Sequence, residues 1–89
     1  MTSNPVDFAK VEILRKRMGL STMDMAAALK VSRMTYYLWV RGSKPRKPQL
    51  DRANKVLRVL LEAYQGESWD ETRSLPAAKR RDVLLQLVA

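Results

Sequence analysis

The sequence predicts an all-α domain of about five helices, on three observations. Apolar residues recur at helical spacing, most regularly at Leu50, Ala53, Leu57, Leu60, Leu61 and Tyr64. No segment alternates apolar and polar residues as a half-buried strand would. The three glycines and four prolines of the 89 residues fall at the edges of the periodic segments, where they act as punctuation.

The first helix is expected from Pro5 to about Met18. Asn4 would be its N-cap, proline its first helical residue and Gly19 its stop. Val11, Leu14 and Met18 share one face. Ser21 can cap a short second helix, Thr22 to Leu29, with Asp24 completing an imperfect capping box. Met25, Ala26 and Leu29 form its inner face. Ser32 caps a third helix that runs to about Arg41 and ends at Gly42. "SKPRKP", residues 43–48, reads as a stiff basic loop. The fourth helix runs from about Gln49 to Gln65. Val56 and Val59 widen its apolar stripe, so it should pack on two sides, and Gly66 ends it. "ESWDETRS" reads as a polar connection with Trp69 packed back as a local anchor. The last helix spans about Pro76 to Val88, with Ser74 as cap, and ends in the apolar run "VLLQLV". Residues 1–66 are therefore expected to form the main unit, and residues 67–89 a C-terminal extension of the same domain.

Composition narrows the function. With no cysteine and no histidine, zinc fingers, disulfide scaffolds, thiol nucleophiles and histidine general bases are excluded. The nine acids include no pair in an apolar setting that would tune a pKa, so the chain is not expected to be an enzyme, and no cofactor is expected. Met23, Met25 and Met34 read as gap-fillers, not as a metal site. No apolar run approaches the length that spans a bilayer, and "MTSNPVDFAK" lacks the apolar core of a secretion signal. A cytoplasmic protein with no membrane partner is expected. The net charge is +8, and it is lopsided. Residues 1–50 carry ten Lys/Arg against three Asp/Glu, whereas residues 51–89 carry seven against six. One half of the chain is suited to a polyanion such as nucleic acid.

The second and third helices carry the most specific signal. Counting Thr22 as one, Met25, Ala26, Leu29, Val31, Tyr36 and Trp39 occupy positions 4, 5, 8, 10, 15 and 18. That is the buried set of a helix-turn-helix, with the small Ala26 where the two helices cross and the second helix held proud of the body. The stretch "LRKRMGLSTMDMAAALKVSRMTYYLWVRGSKPRKP" resembles the XRE-type, Cro/repressor-like helix-turn-helix family. The likeness runs from Val11 to about Leu57 through Leu-Arg, Gly-Leu-Ser, an apolar-Ala pair, Val-Ser, and Trp followed by Arg-Gly. It implies a compact five-helix, lambda-repressor-like domain with a C-terminal helix. Two positions depart from the family pattern. Lys30 stands where the family has a turn glycine, and can adopt the needed backbone only at some cost. Arg15 matches an arginine that pairs with an acid after the tryptophan, but Val40 stands there. Arg15 must find another partner or face a phosphate.

The resemblance places base-reading residues at Ser32, Arg33, Met34, Tyr37 and Leu38. Arg33 can grip guanine O6 and N7, and Met34 and Leu38 can meet thymine methyl groups. Tyr36 and Trp39 are expected in the core. Phosphate contacts are expected from Thr22 at a helix N-terminus, from Thr35, and from Arg41, Lys44, Arg46 and Lys47 just past the third helix. Arg15, Lys16 and Arg17 form a second basic group. The expected partner is a palindromic double-stranded operator bound by a homodimer, because one such module reads few base pairs. Leu57, Leu60, Leu61, Tyr64, Val83, Leu84 and Leu87 are the expected dimer interface. The function implied is a repressor or autoregulator of a phage, plasmid or bacterial operon. Two alternatives stand beside it: an antitoxin whose C-terminal tail covers a toxin, and a protein-interaction module that binds another regulator. RNA binding is disfavoured, because stacking aromatics are few.

Overall fold

Asp7 starts the first helix. In the structure, a computed structural model that describes residues 5–66 and 69–89, α1 spans Phe8–Arg17, and the Asp7 side chain accepts from the N–H of Ala9 at 3.0 Å. The expected cap at Asn4 lies outside the described residues, and Pro5 precedes the helix. An aspartate directly before an apolar run caps better than proline can start one three residues too early. The other elements are α2 (Thr22–Leu29), α3 (Arg33–Val40), α4 (Lys47–Gln65), α5 (Trp69–Arg73) and α6 (Ala77–Leu87), with no strand among the described residues. The described residues therefore form six helices instead of five. The extra one is α5, which forms in the segment read as a connection.

Three helices end in the same way. A residue with positive φ follows each helix, and the next N–H reaches back five residues. Leu20 donates to Arg15 O (3.0 Å), Val31 to Ala26 O (3.0 Å) and Ser43 to Leu38 O (2.9 Å). Gly19 and Gly42 fill two of the positive-φ positions, and Lys30 fills the third at φ 59°, ψ 41°. A side chain at that position carries a steric cost that glycine avoids.

α2 is the hub. It packs on α3, α4 and α6, while α1 packs on α3 and α5 bridges α4 and α6. Met25, Ala26, Ala28 and Leu29 bury its inner side, as the periodicity predicts. Ser21 and Asp24 form a full capping box. Asp24 Oδ2 accepts from the Ser21 N–H (3.0 Å), and Ser21 Oγ accepts from the Asp24 N–H (3.0 Å). The other oxygen of Asp24, Oδ1, takes Arg81 Nε of α6 at 2.6 Å, so a fully buried carboxylate is satisfied from two elements. Arg52 Nε donates to Ala28 O (3.0 Å) and ties α4 to α2.

The C-terminal extension belongs to the same core. Trp69 is buried and its indole N–H donates to Met18 O at 2.8 Å, which anchors α5 to the end of α1 as expected of that residue. Leu84 and Val88 join the single cluster that also holds Phe8, Tyr36, Trp39 and Leu60. α6 begins after Pro76, with no side-chain cap. Ser74 instead donates its hydroxyl to Asp70 O (3.2 Å) within the end of α5. α4 begins at Lys47, two residues before its expected start, because Pro48 in the first turn has the φ a helix needs and Gln49 Oε1 accepts from the Arg46 N–H (3.0 Å).

Candidate nucleic-acid interface

α3 is divided lengthwise by burial. Ser32 caps it, its Oγ accepting from the Thr35 N–H (3.1 Å). Tyr36 and Trp39 point inward, the latter against Phe8 with ring centroids 5.2 Å apart. The opposite side is open: Met34 is 66% exposed, Tyr37 52% and Leu38 45%, with Ser32 and Arg33 exposed beside them. All five base-reading candidates thus share one solvent-facing side, and the two aromatics expected in the core are there. Ser32 also donates to Thr35 Oγ1 (3.0 Å).

α3 has no acid in its first turn and no base in its last, and Arg33 stands at the N-terminal end. That end carries partial positive charge, so a cation there opposes the helix dipole. Arg33 at this end therefore slightly disfavours the helix.

Tyr37 and Arg41 form a preset pair one turn apart. Arg41 Nη1 donates to the Tyr37 hydroxyl (3.0 Å), and its guanidinium carbon lies 5.6 Å from the centre of the ring. Holding both side chains in one geometry lowers the entropy lost when the surface is covered. Arg41, Lys44, Arg46 and Lys47 are all exposed beyond α3. Thr22, half-buried at the first residue of α2, lines with Arg33, Met34 and Tyr37 an open groove of about 690 Å³ that runs along α3 and is bounded by Glu12 of α1.

Beneath this groove lies a polar tie that sequence reasoning missed. Glu12 of α1 accepts from the Tyr36 hydroxyl (2.8 Å) through Oε1 and from Arg15 through both oxygens, Nη2 to Oε2 at 2.9 Å. Arg15 Nη1 continues to Leu20 O (2.8 Å). Arg15 therefore has a partner on its own helix, three residues earlier, in place of the acid absent at Val40. The arginine hydrogen bonds hold the Glu12 carboxyl below the usual carboxylate range, against the opposing pull of burial, with help from Tyr36. The same hydrogen bonds raise Arg15, which is charged in any case. Burial, reinforced by the bond to Glu12, pushes the Tyr36 phenol well above the ordinary tyrosine range. The tie joins α1, the α1–α2 turn and α3, and so fixes how α3 stands on the body.

The expected dimer residues do not form one surface. Leu60 and Leu84 have no exposed area and belong to the subunit's own core, so they cannot meet a second subunit. A long apolar helix crossing the core must spend part of its stripe on its own chain. Leu57 and Val83 are half-buried against the same core, while Leu61, Tyr64 and Leu87 are exposed. Among the described residues no cluster of acids could hold a metal ion. The chain matches no described protein family, no curated protein and no solved structure.

Proposed function

We propose that the chain is a sequence-specific DNA-binding regulator of the lambda-repressor-like helix-turn-helix type, with α2 and α3 as the motif and α3 as the reading helix in the major groove. One observation carries the reading: Arg33, Met34, Tyr37 and Leu38 stand clear of the body on the exposed side of a helix whose other side is locked by Tyr36 and Trp39. Arg33 offers a planar fork to guanine, and Met34 and Leu38 offer apolar contact to thymine methyls. The Thr22 and Thr35 hydroxyls, with Arg41, Lys44, Arg46 and Lys47, grip the phosphates on either side and set the register. The charge distribution supports the same reading, since the excess of cations lies almost wholly within residues 1–50. The mechanism proposed is occlusion of a promoter.

Two protomers on two half-sites provide the affinity that one module lacks. The proposed contact between them is the α6 stripe of Val83 and Leu87, which lie one turn apart and are the only members of the expected set on that helix with open area. The antitoxin alternative gains no support from packing. Its tail would be a free arm, whereas Trp69, Arg81, Leu84 and Val88 are all fastened to the core.

The test is a titration of the duplex upstream of the protein's own gene across salt concentrations. Specific retention is expected, with log affinity falling linearly against log salt at a slope set by the phosphates that Arg41, Lys44, Arg46 and Lys47 of each protomer neutralise. Indifference to salt, or equal affinity for unrelated duplexes, contradicts the reading. Leu87→Asp should reduce the mass on light scattering to that of one chain; a wild-type protein that is monomeric on DNA removes the α6 contact.

A further inference from the structure

The other flank of α1 carries a surface that the DNA reading leaves unused. Ile13 is 52% exposed, Tyr64 40% and Leu61 39%, and the three surround one open groove of about 440 Å³ between α1 and α4, with Leu14 beneath them. Large apolar side chains that share a concavity are costly to leave in water, in a way that scattered ones are not. The rim has a definite charge. Lys10 and Arg17 lie three residues before and four after Ile13, one turn to either side, and Gln65 is the remaining polar residue of the lining. No acid lines the groove among the described residues; Glu62 lies on α4 outside it. The result is an apolar centre with a cation at each end, roughly 10 Å apart along α1.

We propose that this groove docks an acidic amphipathic helix of another protein. The occupant would present apolar side chains at i and i+3 or i+4 to Ile13, Leu61 and Tyr64, and carboxylates about two turns apart to Lys10 and Arg17. Charge complementarity selects this occupant. A second copy meeting it through the same face would set Lys10 and Arg17 against the same two cations. A nucleic-acid backbone would satisfy the rim but lay phosphates over the apolar centre. The surface stands on the far side of α1 from Glu12 and the groove beside α3, so the partner and DNA could bind together.

The probe is a labelled, capped peptide of about 18 residues, with leucines at helical spacing and glutamates elsewhere, titrated with the full chain by fluorescence anisotropy at physiological salt. Binding in the micromolar range is expected. Ile13→Glu and Arg17→Glu should each weaken it by about tenfold or more. Both positions are exposed, and each variant should keep the helical circular dichroism of the parent, with a small fall in melting temperature for Arg17→Glu, where an acid at the end of α1 opposes the helix dipole. Lys79→Glu makes the same charge change on exposed α6 and should leave the affinity unchanged. The proposal is overturned if the peptide does not bind, if Ile13→Glu binds as the parent does, or if Lys79→Glu weakens binding as much as Arg17→Glu. It is also overturned if sedimentation shows that Ile13→Glu dissociates a dimer of this chain, since the occupant would then be a second copy. DNA retention is read on the same variants. Loss of peptide binding by Ile13→Glu with DNA binding intact separates this surface from the one on α3.

Discussion

Replacing Asp24 by alanine should be among the most damaging changes at a polar position. Two donors lose their acceptor at once: the Ser21 N–H at 3.0 Å and Arg81 Nε at 2.6 Å. The capping bond contributes about 1 kcal/mol. Breaking a fully buried ion pair costs about 3–5 kcal/mol, but the Arg81 side chain is 38% exposed against 2% for Asp24, so the arginine regains water when its partner goes. A share of about 1–2 kcal/mol for the pair follows, giving roughly 2–3 kcal/mol in all and a fall in Tm of about 10–20 °C for a domain of this size. Arg81→Met should be comparably harmful, because it strands the buried carboxylate. The double variant should cost little more than Asp24→Ala alone, leaving a coupling of at least about 1 kcal/mol. Thermal melts of the four proteins by circular dichroism give the cycle. pH supplies a second axis. Burial alone would raise the Asp24 carboxyl, but the hydrogen bonds from Ser21 and Arg81 outweigh it and hold it below the ordinary value. A depressed folded pKa contributes stability above the unfolded value near about 3.9, and that stability is lost as pH falls through the folded value. The gap between wild type and Asp24→Ala should therefore close in acid below about pH 4. A Tm loss under about 3 °C at neutral pH, or additive effects of the two substitutions, refutes the reasoning.

Other outcomes follow from single contacts. Lys30→Gly should stabilise the chain by about 0.5–1 kcal/mol, because φ 59° costs a side chain what it spares glycine; a lower melting temperature would show that the lysine makes an unseen contact. Tyr36→Phe removes the hydrogen bond from α3 to Glu12 and should cost about 1 kcal/mol in chemical unfolding. In a variant with Tyr37 and Tyr64 replaced by phenylalanine, tyrosinate absorbance should rise only above the ordinary range for a phenol. Trp69→Phe keeps an aromatic ring, though a smaller one, but loses the donor to Met18 O, and should cost at least about 1–2 kcal/mol, with the loss seen as earlier exchange of amides at the end of α1.

Local chemistry made much of the helix pair legible. Ser21 and Ser32 are small oxygens set directly before apolar runs, and both cap as such residues must. Ala26, Tyr36 and Trp39 are buried because the spacing leaves them no other face. Asp24 was legible as a cap but not as half of an ion pair, since Arg81 is 57 residues away and only the path of the chain brings it near. Glu12 was hidden for the converse reason. Its partner Arg15 sits in the same helix, but the Tyr36 hydroxyl arrives from α3. The α1 face was read from Val11, Leu14 and Met18, which obscured Ile13, an apolar residue on the opposite flank that completes a groove only when α4 lies beside it. On α4 the stripe was visible, but not which members it spends inward. Leu60 turned to the core and Leu61, one residue on, to solvent. α5 is too short to show a period, and Trp69 alone marked where the chain returns to the body.

The central claim is that the open side of α3 reads bases while the cations beyond it hold the backbone. The most direct measurement compares Arg33→Ala and Lys47→Ala on a set of operators that differ by single base pairs. Arg33→Ala should lose about 1–3 kcal/mol of discrimination at one position and little elsewhere, whereas Lys47→Ala should weaken every duplex alike and reduce the salt slope by about one. If Arg33→Ala weakens all duplexes evenly, or neither change affects binding, α3 is not the reading helix.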